Sequence, residues 1–250
     1  MTRPVALVTG VGRPVGIGAA IARGLASDGW DLALSYWTPA DEAVFGDTAA
    51  AGLEGVVDEL RSLGAQVTAL PVDLERTDAA ASVISQAREQ LGKLDALVLS
   101  HAWDIDSGLL DTTVEQFDKH FAINTRASWL LIAEFARQAQ SGGAIVALTS
   151  DHTAGNLPYG ASKGALDRIV IAAAKELAPL GISANVLNPG PVDTGWMTDD
   201  VRATLTAMQP SGRLGTPDDV ANLVAFLVSE KGRWVTGQLL TSDGGFSISI

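Results

Sequence analysis

The sequence predicts an α/β fold of the doubly wound kind, with three layers, αβα, around a seven-stranded parallel sheet. Three observations carry this. Short β-branched apolar runs alternate with longer helical patterns from end to end, as parallel strands joined by crossover helices do. The first run leads straight into a glycine cluster, Gly10 to Gly18, from which a helical pattern starts. The 250 residues are 47% hydrophobic and 18% charged, enough for a full core and too apolar for extended disorder, so residues 1–250 are expected to form a single domain.

In chain order, strands are expected at Val5–Thr9, Asp31–Tyr36, Gln66–Val72, Ala96–Ser100, Ala144–Thr149, Ser183–Leu187 and Gln238–Thr241. After the first of them Ile17, Ile21 and Leu25 recur at i, i+4 and i+8, and Val56 and Leu60 repeat the spacing, giving apolar stripes that can cover a sheet. A further helix is expected from about Tyr159 to about Leu177. Two segments, Trp37 to Gly52 and Pro189 to Pro217, are longer than ordinary connections and are candidates for ligand contact, the second as the substrate loop.

Lys and Arg number 17 against 29 Asp and Glu, and the net charge of −12 repels phosphate backbones, so nucleic acid is not an expected partner. There is no cysteine, hence no disulfide, thiolate nucleophile or Cys-based metal site. His101 and His152 fall near the expected site without companion ligands, and no metal is expected. No stretch approaches the roughly 20 apolar residues that span a bilayer, and the run from Val5 to Val8 is too short for a signal-peptide core. A soluble, untargeted, cytoplasmic chain with no membrane partner is expected.

The glycine cluster reads Thr9-Gly10-Val11-Gly12-Arg13-Pro14-Val15-Gly16-Ile17-Gly18. Strand, glycine loop and helix N-terminus together make a Rossmann-type anion site, because residues without side chains let backbone N–H groups approach a pyrophosphate and the helix dipole favours its charge. Asp73 closes the third strand, where its carboxylate can accept from an adenine amino group or serve in a turn.

Tyr159 and Lys163 stand four apart at the start of the later helix and so share a face. A phenol titrates near ~10 in water and is a poor base at neutral pH unless a cation steadies the phenolate, which Lys163 can supply. Ser150 ends the fifth strand and can offer a hydroxyl to the same substrate oxygen. Asn124, in Phe-Ala-Ile-Asn-Thr-Arg, carries an amide suited to ordering a water that relays a proton to Lys163. Each residue alone has an ordinary structural role; the four in this order behind a nucleotide loop point to a catalytic set.

These residues resemble the active site and cofactor loop of the short-chain dehydrogenase/reductase family, over nearly the whole chain, and most resemble its β-ketoacyl-carrier-protein reductases. The segments Gly212 to Val220, Val235 to Leu239 and Asp243 to Gly245 resemble the family's C-terminal signature. The resemblance implies Tyr159 as acid/base, Lys163 as ribose binder and tyrosine activator, Ser150 as carbonyl orienter and Asn124 as relay. It implies cofactor contacts from Gly10, Gly12, Arg13, Gly16, Ile17 and Gly18, from Tyr36, from Asp73 and Leu74, and from Ser100 and Ala102. Pro189, Gly190, Val192 and Thr194 belong to the Asn188–Thr194 run, which resembles the segment that holds the nicotinamide carboxamide. A homotetramer is also implied, with the helices around Asn124 and after Tyr159 at one interface; Ala161, Gly164, Ala165, Ala172 and Ala173 would allow close approach there.

The implied function is an NAD(P)(H)-dependent oxidoreductase that interconverts a small-molecule carbonyl and a secondary alcohol, a 3-oxoacyl thioester being one candidate substrate. An enoyl-thioester reductase and a non-catalytic nucleotide-sensing Rossmann protein are the alternatives. The glycine loop has five residues between Gly10 and Gly16 where the family usually has three, as in the enoyl-reductase branch, yet Tyr159 and Lys163 keep the closer carbonyl-reductase spacing. Ser100-His101-Ala102-Trp103 replaces the family's usual Asn-Asn-Ala-Gly, and Ser150 and Tyr159 are only nine apart. Trp103 and Trp196 are expected beside the substrate pocket. NADP(H) is favoured over NAD(H): the second strand ends in Leu34-Ser35-Tyr36-Trp37-Thr38 with no acid for a ribose 2′-hydroxyl, the first carboxylate being Asp41 beyond Pro39, while Arg13 stands where the resembling reductases often carry a 2′-phosphate ligand.

Overall fold

Apolar strand runs that read as buried on both faces do pair side by side. In the computed structural model, which describes residues 3–45, 52–139, 142–152 and 154–248, the strands are β1 (Val5–Thr9), β2 (Asp31–Tyr36), β3 (Val67–Pro71), β4 (Ala96–Leu99), β5 (Gly143–Leu148), β6 (Ile182–Asn188) and β7 (Leu239–Thr241). They form one parallel sheet in the order β3-β2-β1-β4-β5-β6-β7. Alternation of side chains divides each strand between two cores: Ala6, Val8, Ala96, Val98, Ala144 and Val146 point to one face, and Leu7, Leu97, Leu99, Ile145 and Ala147 to the other. The first face is covered by α1 (Ile17–Ser27), α3 (Leu53–Ser62) and α9 (Pro217–Val228), the second by α4 (Ala79–Leu91), α6 (Ser128–Gln138) and α7 (Leu157–Glu176).

Strand ends shift from the expected ones by a residue or so, as fraying termini do. Two larger differences matter. The expected Trp37–Gly52 loop contains a helix, α2 (Thr38–Phe45), because Pro39 sits in its first turn, where a missing N–H costs nothing; residues 46–51 of that loop lie outside the described residues. The 189–217 segment likewise contains a helix, α8 (Asp199–Met208), capped by the Thr198 hydroxyl on the Val201 N–H. Between α5 (Val114–His120) and α6, the chain makes one π-helical stretch, Phe121–Ala127, which holds Asn124. In the C-terminal segment Arg213 grips Asp219 with both terminal guanidinium nitrogens and Thr216 caps α9, which packs against α1 and so backs the glycine loop.

Candidate active site

The strand order reverses between β1 and β4, and a cleft opens at their carboxyl ends, as such a switch point requires. The cavity there is about 270 Å³ and runs from the glycine loop to Tyr159 and Lys163. Of the expected cofactor residues, Gly10, Arg13, Gly16, Ile17, Gly18, Tyr36, Asp73, Leu74, Ser100, Ala102, Pro189 and Thr194 line it. Gly12, Gly190 and Val192 do not: Gly12 lies beneath the Asp41 carboxylate, Gly190 packs on Asp243, and Val192 is buried in a bridge to Gly215. Gly10 has φ +74°, and a Cβ there would sit 2.7 Å from the His101 Cα; a Cβ on Gly18 would sit 2.7 Å from the Gly10 carbonyl oxygen. The loop and the first turn of α1 therefore close on each other only as glycines.

Tyr159 and Lys163 fall one turn apart at the start of α7, which begins two residues earlier than expected, at Leu157. Lys163 is 3% exposed; its Nζ donates to the Leu148 carbonyl at 3.0 Å and lies 5.6 Å from the centre of the Tyr159 ring. Burial lowers the ammonium to about 8, the nearby Asp104 and Asp167 carboxylates holding it from falling further. Burial pushes the Tyr159 phenol up, and the Asp104 carboxylate pushes it the same way. A phenol in that setting is protonated at neutral pH, the form that donates.

The other two catalytic candidates take different places. Ser150 is half-buried just past β5 and its Oγ accepts the His152 N–H at 3.1 Å, leaving the hydroxyl hydrogen to donate; the cavity wall at this point is formed by Leu148 and Thr149. Asn124 is 1% exposed, and its side chain makes three hydrogen bonds: Oδ1 accepts from the Trp103 N–H at 2.7 Å, while Nδ2 donates to the Trp103 carbonyl and to Ser162 Oγ, both at 2.9 Å. The side chain therefore works as a clamp, with both N–H donors taken and the second lone pair of Oδ1 left as the place where it can accept from a water. It fixes the loop after β4 against α7.

His101 is the residue whose part sequence reasoning missed. Its Nε2 faces the Ile123 carbonyl at 3.1 Å, an acceptor only, so the network assigns the proton to Nε2 and leaves Nδ1 to accept from the Thr9 hydroxyl at 2.7 Å. Thr9 Oγ1 in turn accepts from the Ser100 and His101 N–H groups. Burial, and then the Lys163 charge, lower His101 to about 3, so it is neutral at every working pH. The ring ties β1, the β4 exit and the π-helical stretch together where the family pattern has asparagine. Trp103 lines the cavity with Lys119 Nζ 4.0 Å from its ring centre, whereas Trp196 is exposed outside the wall.

Comparison with known proteins agrees with this arrangement. The family described as enoyl-(acyl carrier protein) reductase matches residues 10–247. The oxidoreductase YjdA of Bacillus subtilis (strain 168) is 37% identical over 250 residues, covering 97% of this chain and 96% of the relative. A short chain dehydrogenase from Burkholderia cenocepacia J2315 in complex with NADP is 33% identical, with a TM-score of 0.88 over 99% of each chain. A blue fluorescent protein from a metagenomic library, in complex with NADPH, is 32% identical with a TM-score of 0.88 over 99% of each chain.

Proposed function

Because the chain belongs to the short-chain dehydrogenase/reductase family and is an NAD(P)-dependent oxidoreductase, we propose that it reduces a ketone to a secondary alcohol, using NADPH in preference to NADH. One observation carries the reading: Tyr159 and Lys163 stand one turn apart at the end of a cleft that begins at the glycine loop. Three features fit a dinucleotide in that cleft. Gly10 and Gly18 pack without room for a Cβ, the first turn of α1 has neither a side-chain cap nor an acid, and the Ser35 hydroxyl beside the cleft is buried without a partner. The loop N–H groups would hold the pyrophosphate, Asp73 the adenine and Lys163 a ribose hydroxyl; Asp73 Oδ1 also accepts the Glu75 N–H, so it serves the turn as well. The bound dinucleotide supplies the hydride-carrying nicotinamide carbon and, once oxidised, a positive charge.

The protein's own residues then handle the oxygen and its proton. Ser150 donates to the substrate carbonyl and orients it; Tyr159, kept protonated by burial, gives its proton to the alkoxide oxygen as the hydride reaches carbon. An alkoxide is a stronger base than a phenolate, so this transfer runs downhill. Lys163, at about 8, can return a proton towards Tyr159 near neutral pH. One domain carries both cofactor and substrate sites in this reading, with 189–217 over the substrate. A panel of ketones and 3-oxoacyl thioesters, followed by nicotinamide absorbance, tests it; no turnover of any carbonyl would overturn it. The extended glycine loop and the name of the matching family favour enoyl reduction as a second reading. An α,β-unsaturated thioester in the same panel separates the two, and the four-residue Tyr–Lys spacing predicts turnover of the ketone.

NADPH preference rests on Arg13, whose Nη1 donates to the Thr194 carbonyl at 3.1 Å at the edge of the cleft. Arg13→Ala is expected to lower kcat/KM for NADPH by about tenfold or more while changing that for NADH by less than about threefold. Equal losses would overturn the assignment. A homotetramer is proposed from α7, where Gly164 and Ala172 are exposed and a Cβ on Gly164 would meet nothing, although Ala173 is in the core and drops out of the expected interface. Trp129, half exposed beside Phe121 and Ile169, extends that face. Light scattering should give four times the chain mass; a monomer would end the proposal.

A further inference from the structure

The carboxylate that the sequence places well past β2 comes back to the cleft. Helix α2 starts at Thr38, and its first turn, with the Ala40 and Asp41 N–H groups directed at the Trp37 carbonyl, turns the Asp41 side chain inward. Asp41 lines the same end of the cavity as Arg13, Tyr36 and Trp37. Its Oδ2 lies 1.8 Å, and its Cγ 2.7 Å, from where a Cβ on Gly12 would be, so the carboxylate rests directly on the second glycine of the loop. Asp41 and Arg13 also act on each other electrostatically: burial raises the acid and lowers the base, and each charge offsets the other's shift. An acid and a base from two different elements thus meet at the carboxyl end of β2, where a Rossmann-type site receives the adenosine ribose.

We propose that Asp41 sets the balance between the two nicotinamide dinucleotides: its carboxylate over Gly12 accepts the ribose 2′-hydroxyl of NAD(H) and opposes the 2′-phosphate of NADP(H), which Arg13 attracts. The chemistry of the two ligands separates them. A hydroxyl is a donor and pairs with a carboxylate; a phosphate at neutral pH has oxygens that accept, carries more than one negative charge, and pairs with a guanidinium. With both groups present, the preference for NADPH is held down, and the phosphate must displace Asp41 from Gly12 on entry. This rests on the cofactor reading given above and adds a second residue to it.

Calorimetric titration tests it on the whole protein, with NADP⁺ and NAD⁺ and, as fragments that carry only the ribose end, adenosine 2′,5′-bisphosphate and adenosine 5′-monophosphate. Asp41→Asn keeps the side-chain shape and removes the charge. It is expected to tighten NADP⁺ and the bisphosphate by about tenfold, to change NAD⁺ by about threefold or less, and so to move the NADP⁺/NAD⁺ ratio of Kd values in favour of the phosphate. Asp41→Ala should move the ratio in the same direction and weaken NAD⁺ further, because the acceptor is lost as well. An unchanged ratio in both Asp41 variants overturns the inference. Arg13→Ala in the same titration separates the two readings: if it leaves the ratio unchanged while Asp41→Asn shifts it, the arginine assignment fails and the role of Asp41 stands.

Discussion

Tyr159→Phe should lower kcat by roughly 10³-fold while the Kd for the nicotinamide dinucleotide stays within about twofold. In the proposed mechanism the phenol hydroxyl gives the proton, and the ring that remains still packs at the start of α7. Two readouts make the test strict. Nicotinamide fluorescence on mixing gives the binding constant without turnover, and single-turnover absorbance gives the chemical step alone. Wild-type rates in the variant would remove the mechanism; a lost rate with equally lost binding would make Tyr159 a structural residue of the pocket. In the wild type the phenol is pushed up by burial and by Asp104, so the donating form persists across neutral pH, and carbonyl reduction should show no loss from tyrosine ionisation below pH ~9.

Lys163→Met is expected to lower kcat by on the order of 10²-fold and to weaken dinucleotide binding by about tenfold, since the proposed mechanism has one ammonium serve both ribose and tyrosine. Unchanged nucleotide affinity would contradict the ribose role. The variant should still fold. Lys163 is buried and lowered from 10.5 to about 8, so keeping it charged at neutral pH costs on the order of 3 kcal/mol, which methionine removes. Against this, the Leu148 carbonyl loses its donor at 3.0 Å, a cost of about 1–3 kcal/mol. The two nearly offset, and the melting temperature should move by only a few degrees. The sign in pH follows from the lowered value: the ammonium is present below about 8 and lost above it, so wild-type kcat/KM for the dinucleotide should fall as pH rises through about 8. That limb should vanish in the methionine variant.

Much of this was legible in the sequence because it is local. β-branched runs bounded by turns gave the strands, since a buried parallel strand needs apolar residues on both faces. The strand–glycine–helix succession marked the end of the cleft proposed for the nucleotide, and a four-residue spacing put Tyr159 and Lys163 on one helical face. Each of these follows from neighbours within a turn or a pleat, so the sequence by itself determined the fold class, the Tyr159–Lys163 pairing on one helical face and the glycine loop.

What only the tertiary structure decided involves residues far apart in the chain. Asp41 lies beyond Pro39 in the sequence, yet Pro39 sits in the first turn of a helix, and that helix carries the carboxylate back onto Gly12. Asn124 has the type and position of a relay, but its hydrogen-bond partners, Trp103, 21 residues earlier, and Ser162, 38 residues later, are set by packing. His101 had no local pattern at all, and acquires its part from Thr9 and Ile123 on other elements. The physical reason is common to the three. Backbone periodicity fixes which residues share a face, but the partners of a polar side chain are chosen by how elements pack across the sheet, and a buried donor or acceptor must take whichever partner that packing brings.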